Sequence, residues 1–308
     1  MTPRYDCIVV GGGPAGLSAA LVLGRARRSV LVCDTGRPRN RWARQVNAYL
    51  TRDGISPEEF LEIARREAAG YPTVTIRQAE VEDADATPDG FEVRLAGGER
   101  CGARTLLIAT GMVDELPAIE GLGPLYGTSV HHCPYCDGWE HRDQVIAVYG
   151  HGPKAAGFAL TMTQWSRDVV WCSDGPCGLG DRARVRLDAF GVGVREERVV
   201  RLEGRDGQLE RVVFHAGPPL ECQALFFSTG QRQGSRLVER LGVPVTARGT
   251  VNTGKAERTE VPGLYVAGDA SKDAQLVIVA AAEGAEAAIA INTALCRAQL
   301  PVDVVAAT

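Results

Sequence analysis

Cys7-Ile8-Val9-Val10-Gly11-Gly12-Gly13-Pro14-Ala15-Gly16 is the stretch whose reading decides the fold. A short apolar β run stops at a glycine turn, and the apolar helical stretch Leu17–Gly24 follows. Val30–Cys33 is a second β run, closed by Asp34. Strand, glycine turn, helix, strand and acid within about 30 residues is the arrangement of a dinucleotide site. Gly11, Gly13 and Gly16 let backbone N–H groups approach a pyrophosphate, with Pro14 and Ala15 opening a helix whose N-terminus carries partial positive charge. Asp34 stands where a carboxylate accepts from ribose hydroxyls. Its plainer reading is an ordinary strand-end turn residue.

The same order returns farther on. Val145–Tyr149 reads as a strand, followed by Gly150-His151-Gly152-Pro153-Lys154-Ala155, a helical stretch to Trp165 and the strand Val169–Cys172. Leu225–Ser228 with Thr229-Gly230 echoes Leu106–Ala109 with Thr110-Gly111. The spacing therefore predicts an α/β protein with two Rossmann-like units. Between the units, Ser56 caps a helix over Pro57–Ala69, with Pro57 at its first position. Val74–Val81 and Phe91–Leu95 alternate as antiparallel strands, and Gln275–Leu295 reads as a long Ala-rich helix.

The 308 residues suit two domains, and 34 basic against 38 acidic side chains give a net charge of −4. That balance argues against a general nucleic-acid binder. The 36 glycines beside 45% apolar content indicate tight turns and close backbone approaches rather than disorder. Nine scattered cysteines, an odd number, are not a secreted disulfide framework. The N-terminal segment lacks a signal-peptide pattern, and Glu283 and Glu286 interrupt the longest apolar stretch. The expectation is a cytoplasmic protein with no membrane contact.

Cys133-Pro134-Tyr135-Cys136-Asp137-Gly138 carries the chemistry. Two thiols at this spacing can close a disulfide, and a turn or helix start lowers one thiol pKa and makes it a nucleophile. Three plainer readings stand beside it. The pair is half a zinc site, although His131 and His132 are too close to be the usual remote ligands; or it is two structural thiols; or it is a glutaredoxin-type motif. The reading adopted is a redox dithiol facing a flavin, with no metal. His131 and His132 are candidate bases, since an imidazole can move a thiol proton near neutral pH, and otherwise they are a polar turn.

Taken together, these motifs resemble the flavoprotein disulfide reductases with two dinucleotide domains. The Cys-x-x-Cys-Asp-Gly just before the second glycine turn is similar to that of the low-molecular-weight thioredoxin reductases. The resemblance implies FAD on a discontinuous domain, 1–114 and 245–308, with an NAD(P)-binding-like domain of three-layer ββα type inserted at 115–244. It also implies that Thr110, Gly111, Gly268, Asp269, Gln275 and Leu276 join Gly11, Gly13, Pro14, Ala15, Gly16 and Asp34 around FAD, with Asp269 at the ribityl–phosphate region. Cys133 is then the thiol that exchanges with substrate, Cys136 the thiol nearer the flavin, and Asp137 the acid–base partner. A homodimer is implied, acting on a thioredoxin-like protein or a small-molecule dithiol or disulfide.

One departure stands out. Where the reductases carry basic residues for the 2′-phosphate of NADPH, this chain has Ser173-Asp174-Gly175. NAD(P)H use is therefore doubtful, unless cations such as Arg182 or Arg184 substitute. The Cys-Pro-Tyr-Cys-Asp-Gly-Trp-Glu context, the His-His before it and Gln164-Trp165-Ser166 resemble the dithiol oxidases that close disulfides in natural products such as holomycin and gliotoxin. The expectation is an FAD-dependent thiol–disulfide oxidoreductase without standard NADPH use. An NAD(P)H-dependent thioredoxin reductase and a non-enzymatic flavin-binding redox sensor are its alternatives.

Overall fold

In the computed structural model the described residues are 2–228, 230–271 and 274–299. Thr229, read as part of a strand end, and the residues from 300 onward, assigned to the flavin domain, lie outside them.

The chain opens with β1 (Arg4–Val10), α1 (Pro14–Arg25) and β2 (Val30–Asp34). After an irregular segment come α2 (Pro57–Ala69), β3 (Val74–Gln78), β4 (Val81–Thr87), β5 (Gly90–Leu95), β6 (Arg100–Ile108) and β7 (Met112–Asp114). Next are β8 (Val130–His131), α3 (Pro134–Asp137), β9 (Ile146–Tyr149), α4 (Gly152–Met162) and β10 (Val169–Cys172). They lead to α5 (Asp181–Ala189), β11 (Gly193–Arg195), β12 (Val199–Arg205), β13 (Gln208–Phe214), β14 (Leu220–Glu221) and β15 (Ala224–Phe227). The last elements are β16 (Gln231–Gln233), α6 (Leu237–Arg240), β17 (Leu264–Val266) and α7 (Val277–Arg297).

Two compact units result: Met1–Arg41 with Tyr49–Val113 and Gln231–Thr308, and Trp42–Ala48 with Asp114–Gly230. The return to the first unit falls at Gln231, where the sequence placed it at 245. The physical reason is local. β16 pairs with β7, the Gly234 amide donates to the Gly111 carbonyl at 2.8 Å, and Leu237 and Val238 are buried in that unit's core.

The first unit is built on a parallel sheet, β3-β2-β1-β6-β17. Side chains alternate across a strand, so Cys7 and Val9 face a layer containing α1 and α7, while Ile8 and Val10 face the layer of β4 and β5. Each large apolar side chain buried there, such as Leu23 or Leu107, contributes about 1.5–3 kcal/mol by leaving water. The cap of α2 is as expected, with Ser56 Oγ accepting from the Glu59 amide at 3.1 Å. The antiparallel pairing expected of Val74–Val81 is corrected. β3 runs parallel to β2, and the antiparallel partner of β5 is β4, whose polar alternation hid it.

By length and composition α7 is apolar enough to cross a bilayer. It packs against α1, and a Cβ at Gly284 would strike the Ala15 carbonyl, so only glycine allows this approach. Glu283, read as a break in the apolar run, is buried and accepts from the Gly268 amide at 2.7 Å.

The second unit repeats the layers. Its parallel sheet is β11-β10-β9-β15-β8. Ile146, Val148, Trp171 and Phe226 pack with residues of α4 and α5 on one face. Ala147, Cys172, Leu225 and Phe227 pack with β12 and β13 on the other.

Candidate functional site

The first glycine turn is a cradle that side chains would fill. A Cβ at Gly11, whose φ is +109°, would strike the Ala109 carbonyl, and one at Gly16 would strike the carbonyl of Gly11. At Gly13, the N-cap of α1, nothing lies within 4 Å, so the space over the helix N-terminus is open. Pro14 takes the first position and Ala15 is buried. Asp34 at the end of β2 lies against Gly12, and its Oδ2 is 3.0 Å from Arg65 Nη2.

The other expected flavin-site residues cluster at the same edge, the carboxyl ends of β1, β6 and β17. A Cβ on Gly111 would lie 4.0 Å from that of Asp269, and one on Gly268 would lie 3.0 Å from that of Ala15. Thr110 Oγ1 is 3.4 Å from Ser235 Oγ. Asp269 Oδ2 and Gln275 Oε1 both accept from Arg39 Nη1, at 2.8 and 2.7 Å. Gln275 also exchanges hydrogen bonds with Gln231 at 2.9 Å, and Leu276 is the residue from which α7 starts. Sequence reading missed Arg39, Arg65 and Gln231. The first sits in the irregular Arg-rich segment after β2, where no periodicity marks it.

Cys133, Cys136, Asp137, His131 and His132 belong to the other unit. Cys133 and Cys136 form a disulfide with Cα atoms 5.3 Å apart, so the two sulfurs serve each other. Cys133 is the N-cap of α3, and Pro134 opens the turn. The Cys136 carbonyl accepts from Asn47 Nδ2 at 2.8 Å, and a Cβ at Gly138 would lie 2.9 Å from the Trp165 ring. Six other cysteines are buried and only Cys296 is exposed. Burial pushes the thiols of Cys7, Cys33 and Cys222 up to about 12, and that of Cys172 up as well. Those thiols stay protonated and unreactive near neutral pH.

The two histidines have different surroundings. His131, buried at the end of β8, places Nδ1 3.4 Å from Asp137 Oδ1 and Nε2 3.0 Å from His141 Nε2. His132 Nδ1 lies 3.1 Å from the Tyr126 hydroxyl, which donates to Asp114 Oδ2 at 2.8 Å.

The second glycine turn is altered. Gly150 keeps the positive φ of Gly11, at +150°, whereas Gly152 has φ +70° where Gly13 has −79°. His151 is now the N-cap of α4, and Ala155 stands where Gly16 stands in the first turn. Asp174, one residue past Ser173, which matches Asp34 in strand register, is engaged from inside the fold. Oδ1 accepts from the Val199 amide at 2.7 Å and Oδ2 from the Tyr149 hydroxyl at 3.0 Å. Burial and this carboxylate push the Tyr149 phenol up to about 12. Arg184 is bound to Glu196 at 3.0 Å. Exposed Arg198, which sequence reading missed, lies close enough to Tyr149 to oppose that rise.

Comparison with known proteins follows the same lines. The family pattern described as pyridine nucleotide-disulphide oxidoreductase matches residues 5–284. The chain is 30% identical over 278 residues to the thioredoxin reductase tcpT of Claviceps purpurea, with 86% of each chain covered. Among solved structures it is similar to HlmI, with TM-score 0.92 and 36% identity over 100% of this chain and 96% of that one. It is also similar to an oxidoreductase from Agrobacterium tumefaciens, with TM-score 0.90 and 34% identity over 95% and 99%.

Proposed function

This chain belongs to the pyridine nucleotide-disulphide oxidoreductase family and is a flavoprotein disulfide oxidoreductase of the thioredoxin reductase-like kind, and from that premise we propose that it oxidises dithiols without standard NADPH use. The observation that carries the reading is Asp174. A carboxylate, already accepting from Val199 and Tyr149, stands where a 2′-phosphate would need a cation, while the Cys133–Cys136 pair is intact.

The cradle of Gly11, Gly13, Pro14, Ala15 and Gly16 fits a pyrophosphate, because it leaves open space only over the α1 N-terminus. Asp34 would hold the ribose and Asp269, with Thr110, Gly111, Gly268, Gln275 and Leu276, the remainder of FAD. Bound FAD supplies a two-electron acceptor that oxygen can reoxidise.

The protein's part is thiol exchange. A substrate thiolate attacks Cys133 Sγ, the Cys133–Cys136 bond breaks, and its electron pair leaves on Cys136 as a thiolate. The second substrate thiolate displaces Cys133, releasing the substrate as a disulfide and leaving two reduced cysteines. Asp137, with His131, accepts and returns protons, and His132 is tied to Tyr126. Bound flavin would accept the two electrons whose loss lets Cys133 and Cys136 close their disulfide again. The partner is a small dithiol or a thioredoxin-like protein, and the enzyme works as a cytoplasmic homodimer.

The alternative direction, NAD(P)H-driven reduction, has one observation in its favour: Arg198 adjoins Val199 and lies near Tyr149. The test is anaerobic mixing of the oxidised flavoprotein with NADPH, NADH or dithiothreitol, followed in the flavin absorbance band. Bleaching by the dithiol with slow or no bleaching by NADPH is expected. Rapid bleaching by NADPH overturns the reading.

A further inference from the structure

His141 has no place in the exchange chemistry above, yet it is buried within hydrogen-bond reach of a residue that does. Its Nδ1 lies 3.0 Å from Gln144 Oε1. A carbonyl oxygen only accepts, so Nδ1 carries the hydrogen. Burial pushes His141 below its ordinary value, which favours the neutral ring. Its Nε2 is then a bare acceptor, and His131 Nε2, 3.0 Å away, must donate to it. That leaves His131 Nδ1 facing Asp137 Oδ1 at 3.4 Å. His131 Nδ1, the ring's remaining acceptor, is therefore the nitrogen turned to Asp137, and it is the one able to take a proton from that side.

The titratable groups facing His131 are Asp137 at the end of α3 and His141; from β15 it meets the Phe226 ring, with centroids 5.3 Å apart. We propose that His141, braced by Gln144, is a positioning residue that fixes the tautomer of His131 and so presents His131 Nδ1, beside Asp137, as the proton acceptor for the Cys133–Cys136 pair. The inference rests on reading Cys133 and Cys136 as the redox pair. Its consequence is electrostatic. A proton received at Nδ1 leaves a positive ring near the thiolate and so favours the charged sulfur that exchange requires.

The test is the pH profile of iodoacetamide alkylation of Cys133 and Cys136 in the reduced holoenzyme, read by peptide mass spectrometry. His141→Phe keeps a ring against Phe226 and removes the acceptor. Its inflection is expected to move up by about one pH unit, with alkylation about tenfold slower at pH 7 and rates converging in alkali. Gln144→Leu should shift it as His141→Phe does, and it decides the matter if His141→Phe does not fold. Superimposable profiles for wild type and Gln144→Leu overturn the proposal. Alkylation needs no turnover. Shifted profiles in an enzyme that oxidises no dithiol would sink the proposed function and leave this inference standing.

Discussion

Gly13→Ala separates the folding of the first cradle from its use. At this position φ is −79° and ψ −174°, a conformation alanine adopts without strain, and nothing lies within 4 Å of the added methyl. The flavin-free protein should therefore unfold at the wild-type temperature. If a pyrophosphate rests over the α1 N-terminus, the methyl occupies the space it needs. Losing one charged hydrogen bond to the helix costs about 1.5–3 kcal/mol, roughly a tenfold to 150-fold loss of FAD affinity. Titration of flavin-free protein with FAD, read by quenching of flavin fluorescence, measures this directly. Gly157→Ala, on α4 with equally open surroundings, is the control and should bind FAD as wild type does. Unchanged FAD affinity in Gly13→Ala refutes the placement. Equal losses of affinity and thermal stability would show that the methyl disturbs the turn itself.

Three further outcomes follow from particular residues. Asp174→Asn keeps an acceptor for the Val199 amide and removes one charge; with a 2′-phosphate of about −1.5 at about 6 Å and an effective dielectric of about 40, NADPH binding should gain about 2 kcal/mol, roughly thirtyfold, over NADH. Equal changes for the two nucleotides in anaerobic titration would show that Asp174 does not read the 2′ position. Brief iodoacetamide treatment at pH 8 should label one cysteine in the oxidised protein and three after reduction, because six are buried and Cys296 is exposed. More labels by intact mass would show that the buried strands open. The thiols of Cys7, Cys33 and Cys222 keep their protons up to about 12 when folded, against 9.0 as the ordinary value. The folded state thus binds more protons across that window, so their contribution is complete below pH 9 and falls as pH rises toward 12. The urea midpoint should decline above pH 9, and less steeply in Cys222→Ala.

Much of this was legible because certain positions answer to one constraint. β1, the glycine turn, α1 and β2 form a continuous local signal, and each glycine is required by a backbone collision that follows from the turn. The Cys-x-x-Cys stands out for a similar reason, since its spacing is itself the geometry of a disulfide. β4 was missed because Glu82, Asp83 and Asp85 mask two buried residues, Val81 and Ala84, whose burial comes from the facing layer. Arg39, Arg65 and His141 were invisible for another reason. Their roles lie in contacts 230, 31 and 10 residues away along the chain. No local pattern encodes such pairings.

The second glycine turn shows why fold and ligand preference can separate. Gly150, Trp171 and the strands Ile146–Tyr149 and Val169–Cys172 are held by packing, and the Trp171 indole N–H donates to the Gly150 carbonyl at 2.9 Å. Changing any of these disturbs the core. His151 and Lys154 are exposed, so their identities can drift with little cost in stability. A dinucleotide-type fold can thus survive the loss of its nucleotide contacts. It would still be needed here, because β8 and β9 of the same unit frame the Cys133–Cys136 turn, and β15 lies between them. His131 ends β8, and its partners Asp137 and His141 lie in the connection to β9. Removing the unit would remove the thiols and their proton holders together. Selection on the thiol chemistry is therefore enough to preserve the second unit, whatever becomes of its glycine turn.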